Sequence, residues 1–315
     1  MIVAPAISSE VPRPVPVGIS RARIALKRTL KLLLGGVAWP FFAVRKKGLR
    51  VLFYHRVNPY PFEQLGPVSR EITVTPEAFE VQLAWLQRKG YRSAAPQELE
   101  AVLAGEQPVE PKTIVITFDD GFEDNYLWAH PLLVKYGFQG VFFITTKYVG
   151  AESGPDWTAG DMPGYGRFLN WEQIRQMHRE GAVIASHTCS HRLLTELDEA
   201  DLAQELAGSR AVLEEHLQEE ARWCAYPSGD QDERVQAAAL AAGYSAAFTC
   251  VPGPSGKDTV AMAVPRVEVS ASDSPLIFRI KLSGALDWTR FKESAAFRRV
   301  MWRINRLLIR KLAEI

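Results

Sequence analysis

From Val51 onward the sequence alternates short apolar runs with stretches long enough to be helices. An apolar run bounded by polar turns reads as a strand covered on both faces, and strands alternating with helices build a parallel sheet. The strand candidates are Val51 to Tyr54, Ile114 to Phe118, Gly140 to Ile144, Val183 to Ala185, Trp223 to Ala225 and Ala246 to Phe248. Between the first two, Thr75 is a good N-cap with Pro76 at the first helical position; Phe79, Leu83 and Leu86 form the stripe and Gly90 the stop. Another helix, from Leu202 through Leu206 and Leu213 to Leu217, is expected to bury leucines and expose Glu205, Glu214 and Glu215. The stretch from Tyr148 to Gly166, with five glycines and two prolines, reads as a long loop at the strand ends.

Charge divides the chain differently. Residues 21–50 carry nine Lys or Arg and no acid, residues 281–315 carry nine against three acids, and residues 51–280 hold 18 basic and 32 acidic residues. An acidic body repels nucleic-acid phosphates, so a nucleic-acid partner is not expected, and the basic ends read as contacts to an anionic surface, most simply a membrane. The run from Leu32 to Val44 is too short to span a bilayer and is broken by Gly35, Gly36 and Pro40; it reads as an interfacial segment, with docking on the body as the alternative. The tail places Phe297, Val300, Met301, Ile304, Leu307, Leu308 and Leu312 on one face of a basic amphipathic helix. The first twenty residues, rich in proline, read as a disordered arm, and no cleavable signal peptide is evident. Three widely spaced cysteines, Cys189, Cys224 and Cys250, exclude a disulfide framework and favour a reducing compartment.

Two clusters carry chemistry. Thr117-Phe118-Asp119-Asp120-Gly121 ends the run Ile114 to Ile116, and two carboxylates at the end of a buried strand need a cation, a proton or solvent. Ser186-His187-Thr188-Cys189-Ser190-His191 ends a second run; its imidazoles, four residues apart, converge on one metal if the chain turns helically after His187. Taken singly, each cluster is ordinary, since Asp-Gly starts many turns and surface histidines are common. Together they supply two imidazoles and a carboxylate at strand ends, the facial set that leaves metal positions open.

These residues resemble the NodB-homology polysaccharide deacetylases, the fourth family of carbohydrate esterases. The family's Thr-Phe-Asp-Asp-Gly motif matches residues 117–121 without change, and its His-(Ser/Thr)-x-x-His motif matches His187 to His191. Ala225-Tyr226-Pro227-Ser228-Gly229 looks like the third motif, without the Arg that many members place before the proline. The late Leu-x-His motif is missing, because the last histidine is His216; an early strand instead ends Phe53-Tyr54-His55-Arg56-Val57, similar to the permuted members that deacetylate poly-N-acetylglucosamine.

The resemblance covers roughly residues 50 to 270 and implies a distorted (β/α)7-type barrel. It implies Asp119 as general base, Asp120, His187 and His191 as ligands of a divalent metal, zinc with cobalt or nickel as alternatives, and His55 as general acid. The turn at Tyr226, Pro227 and Gly229 is expected to offer a backbone N–H to the oxyanion. Trp157, Trp171 and Arg266 are candidate substrate contacts; for Trp171, packing at a helix start is the competing reading. The expected reaction removes N-acetyl groups from amino sugars of a polysaccharide; the alternatives are a lipid-linked sugar substrate and an inactive glycan-binding module. The chain is then divided into an arm (1–20), a basic anchor segment (21–50), the deacetylase domain (51–280) and the basic tail (281–315), with a cytoplasmic, membrane-peripheral location expected.

Overall fold

A computed structural model describes residues 21–42, 48–154 and 158–293. Residues 1–20, expected to be a disordered arm, Trp157 and the part of the expected amphipathic tail beyond residue 293 lie outside the described residues. The strands are β1 (Arg50–Tyr54), β2 (Arg56–Val57), β3 (Thr73–Val74), β4 (Arg92–Ser93), β5 (Thr113–Phe118), β6 (Gly140–Ile144), β7 (Val183–Ser186), β8 (Trp223–Ala225), β9 (Ala246–Phe248) and β10 (Val267–Glu268). All six apolar runs form strands, each within one residue of its expected limits. β2, β3, β4 and β10 are two-residue pairings too short to leave a pattern.

The main sheet runs β10-β1-β5-β6-β7-β8-β9, with β4 alongside the start of β5, and every pairing is parallel. It curls into a barrel of the expected (β/α)7 type. The residues before β10 stitch its edges: the Thr249 N–H donates to the Val264 carbonyl and the Val264 N–H to Ala247, while Val267 pairs with Leu52.

Strand alternation then sorts the side chains. Leu52, Tyr54, Ile114, Ile116 and Phe118 point outward to a layer that includes Phe79, Leu83 and Leu86 of α3 (Pro76–Arg88) and Ile174 and Met177 of α6 (Trp171–Arg179). Val51, Val115, Ala185, Trp223 and Phe248 fill the interior. Continuing the inward register past the strand ends brings His55 after β1, Asp119 after β5 and His187 after β7 to the mouth of the barrel.

Thr75 caps α3 through its side chain and Pro76 opens it, as the sequence predicts. The 202–217 stretch departs from expectation. It is a short helix, Glu199–Ala203, a wide π turn at Gln204–Gly208, and a second helix, Ser209–Leu217. The extra residue in the π turn rotates Glu205 inward, so it is buried rather than exposed.

The first helix, Arg21–Phe42, runs through both glycines and Pro40 and is docked on the body. Leu32 and Leu34 pack against Ile280, Ala285 and Leu286. Contact is so close at Gly35 that a Cβ there would lie 2.5 Å from the Ile280 side chain. Several cations of this helix face acids of the body: Arg21 pairs with Glu63, Lys27 with Glu71, and Lys31 with the buried Asp273 at 2.7 Å. Its outward face leaves Leu26, Leu30 and Leu33 exposed. Among the described residues no helix is long and apolar enough to cross a membrane.

Candidate metal centre and active site

At the barrel mouth, Asp120, His187 and His191 present three ligand atoms that lie within 4.8 Å of one another, the only such cluster among the described residues. Nε2 of His187 and Nε2 of His191 stand 3.4 and 3.5 Å from the same Oδ1 of Asp120. Two ligand bonds of about 2.1 Å meeting at a near-tetrahedral angle span roughly 3.4 Å, so the spacing fits a zinc-sized ion. The His187 Nδ1 is hydrogen-bonded to the Ala225 carbonyl at 2.7 Å, which makes Nδ1 the protonated nitrogen and turns the Nε2 lone pair to the centre. The donors thus suit a divalent cation of borderline softness, with no thiolate among them.

The convergence does not come from a helix after His187. Thr188 and His191 adopt left-handed backbone conformations, with φ of 67° and 61°, and the His191 N–H donates to Thr188 Oγ1. Glu205, turned in by the π turn, accepts from the N–H and hydroxyl of Ser190. Asp120 is also left-handed, φ 75°, a conformation that an Asp tolerates and that swings its carboxylate away from that of Asp119. Backbone strain of this kind collects where a fold aims functional groups.

Asp119 points inward to Arg266. The guanidinium binds both carboxylate oxygens at 2.7 Å, and also contacts Thr117 Oγ1 and the Thr249 carbonyl. It lies over the ring of Phe53 at 4.5 Å. Burial alone would push the Asp119 carboxyl up, but the charge of Arg266 beside it outweighs burial and holds the carboxyl below its usual range. Burial likewise opposes ionisation of Asp120, but the imidazoles gathered around its carboxylate, His187 foremost, outweigh burial, so Asp120 is held far down. Burial and the neighbouring His187 lower His191 to about 4, leaving it neutral and able to ligate at neutral pH. His55 is half-buried beside the same groups; its Nδ1 has no hydrogen-bond partner among the described residues.

Three expectations are corrected. Arg266 is fully buried and engaged with Asp119, so it is not a substrate contact; it pairs with the expected base although no Arg directly precedes Pro227. Trp171 opens α6 and stacks on His216 with ring centroids 3.7 Å apart, which is the packing reading. The turn at Tyr226 offers no free oxyanion donor from the residues expected. The Tyr226 N–H continues the ladder to Phe248, the Gly229 N–H is turned back to the Tyr226 carbonyl, and Pro227 has none. What this segment lends the centre is the Ala225 carbonyl. Gly229, at φ 65°, is needed because a Cβ there would stand 2.7 Å from the Cys250 nitrogen. His130 is buried and paired with Glu180.

The curled parallel sheet thus gathers a buried carboxylate pair and two imidazoles at its strand ends. Residues 106–247 match the family model described as polysaccharide deacetylase. The chain is 29% identical over 230 residues to YxkH of Bacillus subtilis strain 168, whose name places it among the polysaccharide deacetylases, covering 73% of this chain and 74% of that one. It is 27% identical over 171 residues, 54% of this chain, to the poly-beta-1,6-N-acetyl-D-glucosamine N-deacetylase of Escherichia coli O157:H7, of whose length the match spans only 24%. Among solved structures it is similar to IcaB from Ammonifex degensii, with a TM-score of 0.62 and 28% identity over 77% of this chain and 98% of that one.

Proposed function

We propose that this chain is a zinc-dependent N-deacetylase of an amino-sugar polymer of the poly-N-acetylglucosamine class, its catalytic domain spanning residues 51–280. Asp119 is the general base, His55 the general acid, and Asp120, His187 and His191 hold the metal. The observation that supports this reading best is the convergence of three ligand atoms beside a second carboxylate that Arg266 keeps ionised. Bound by those three side chains, zinc supplies a lowered pKa for water and polarisation of the acyl oxygen.

The remaining chemistry belongs to the protein. Asp119, ionised at neutral pH, takes the proton of the attacking water, and its bidentate hold on Arg266 fixes the carboxylate's orientation. An amine leaves poorly as an anion, so His55 gives a proton to the sugar nitrogen as the C–N bond breaks.

A second reading, a lipid-linked amino sugar met at an anionic membrane surface, is favoured by one observation. The N-terminal segment, with nine cations and no acid, turns Leu26, Leu30 and Leu33 to the outside, the pattern of an interfacial helix. One experiment separates the readings: acetate release from polymeric and from lipid-linked N-acetyl sugars, with chelator and with zinc added back. Release from the polymer, stopped by chelator and restored by zinc, is expected. Release confined to the lipid-linked sugar would replace the polymer by the second substrate, and no release from any N-acetyl sugar would leave a glycan-binding module.

Arg266 gives a further prediction. With Met in its place, Asp119 stays buried with its counter-charge gone, and removing one partner of such a pair costs about 3–5 kcal/mol. The sign is fixed. A carboxyl held down in the folded state stabilises above its unfolded pKa and loses that contribution as pH falls through the folded value. Arg266→Met is therefore expected to lower the melting temperature most at neutral pH, and to move the acid limb of kcat/KM to higher pH as Asp119 titrates later. An unchanged acid limb would remove Asp119 from the role of base.

A further inference from the structure

We propose that Arg56 is a positioning residue for this reaction: it fastens the strand end carrying His55 to the long loop at the barrel mouth and so sets where the proton donor stands. The proposal rests on the reading of His55 as general acid.

Arg56 follows His55 directly and is 1% exposed. Its Nε donates to Asp124 Oδ2 at 2.7 Å, and its Nη1 to Asp161 Oδ2 at 2.7 Å and to Ser69 Oγ at 2.9 Å. Its Nη2 reaches the Tyr165 carbonyl, and the guanidinium lies 4.5 Å from the centroid of Phe122. One side chain therefore ties together the segment after β5, the helix Pro67–Ile72 and the Tyr148 to Gly166 loop. Asp161 in turn accepts from the Gly66 N–H and from Ser69, and Tyr165 stacks face to face on Tyr60 with centroids 3.8 Å apart.

The backbone that follows His55 is held by the same network. Asn125 Nδ2 donates to the His55 carbonyl at 3.1 Å; Asp124 accepts from the Val57 N–H and, at 2.8 Å, from Asn58 Nδ2. Both residues belong to the segment that begins with Asp119 and Asp120, so the base, a ligand and the clamp on the acid share one short stretch of chain.

Burying two carboxylates around one guanidinium is expensive, and burial indeed pushes the Asp124 carboxyl up despite its bond to Arg56. An apolar cluster of equal volume would hold loops together at lower cost, but it would not fix direction as a planar fork with several fixed donors does. Lysine, a point charge, cannot span Asp124, Asp161 and Ser69 at once.

The test compares two substrates in zinc-loaded enzyme: an N-acetylglucosamine oligomer, whose leaving amine needs a proton, and an aryl acetate, whose phenolate leaves without one. His55→Ala serves as the reference, Arg56→Lys as the central variant, and Asp161→Ala, on the loop, as the variant least able to disturb the barrel. For the oligomer, kcat is expected to fall about ten- to a hundredfold in both Arg56→Lys and Asp161→Ala, as a displacement of about 1 Å would cause. Their aryl-acetate turnover and metal content should stay within about twofold of wild type. If His55→Ala keeps oligomer turnover, the acid reading itself fails. If His55→Ala shows the selective loss while Arg56→Lys and Asp161→Ala match wild type, lose both activities together or change only KM, Arg56 does not position the donor.

Discussion

Asp119→Asn is expected to slow acetate release from the polymer by about a thousandfold or more while the chain keeps its metal. A positioned base contributes roughly 10²–10⁴ in rate, and the amide has no pair of electrons basic enough to take a proton from water. The exchange is nearly isosteric. The Asn oxygen still accepts from Arg266, so the carboxylate pocket keeps its shape, whereas the charge that faced the guanidinium is gone. Some loss of thermal stability should accompany the change, because Arg266 is then a buried cation with one partner fewer. The decisive pair of measurements is kcat and metal per chain. A variant within about tenfold of wild type would place the base elsewhere, and loss of metal along with turnover would make Asp119 a ligand instead.

Removal of a ligand should have the other large effect. His191→Ala is expected to weaken zinc by at least the 10–100-fold seen when groups supporting a ligand are lost, and to abolish acetate release at limiting metal. His191 suits this test better than His187. Its ring stands nearer the rim, with 16% of the side chain exposed, while His187 is fully enclosed and also anchors the Ala225 carbonyl. Metal affinity by competition with a chromophoric chelator reads the change directly. An unaltered affinity would mean that the cation sits away from the Asp120, His187 and His191 cluster, whatever the activity does.

The sheet was legible because each long strand is a compact apolar run ending in polar residues, and such a run cannot be anything but buried on both faces. The clusters at Asp119 and His187 were legible for the same reason, since a charge directly after a buried run must be at its mouth. What escaped was whatever depends on distant parts of the chain. Arg266 lies 147 residues from Asp119 and in a stretch with no periodicity of its own, so only the curl of the sheet reveals the pairing. Glu205 looked exposed because helical spacing assumes an uninterrupted helix, and a single wide turn rotates it inward. The turn after His187 is not helical, and spacing alone does not distinguish a helical turn from one with left-handed residues. Arg56 offered a faint signal, a cation between a histidine and an apolar residue at a strand end, but its acids lie 68 and 105 positions away.

The stitching of β9 to β10 by the residues before Val267 also divides the site between early and late parts of the chain. Every group proposed to grip the metal lies before residue 192, whereas the cation that keeps Asp119 charged arrives only when the sheet's final strand closes the ring. A chain cut short before β10 would therefore carry the three proposed ligands yet leave its base without a counter-charge.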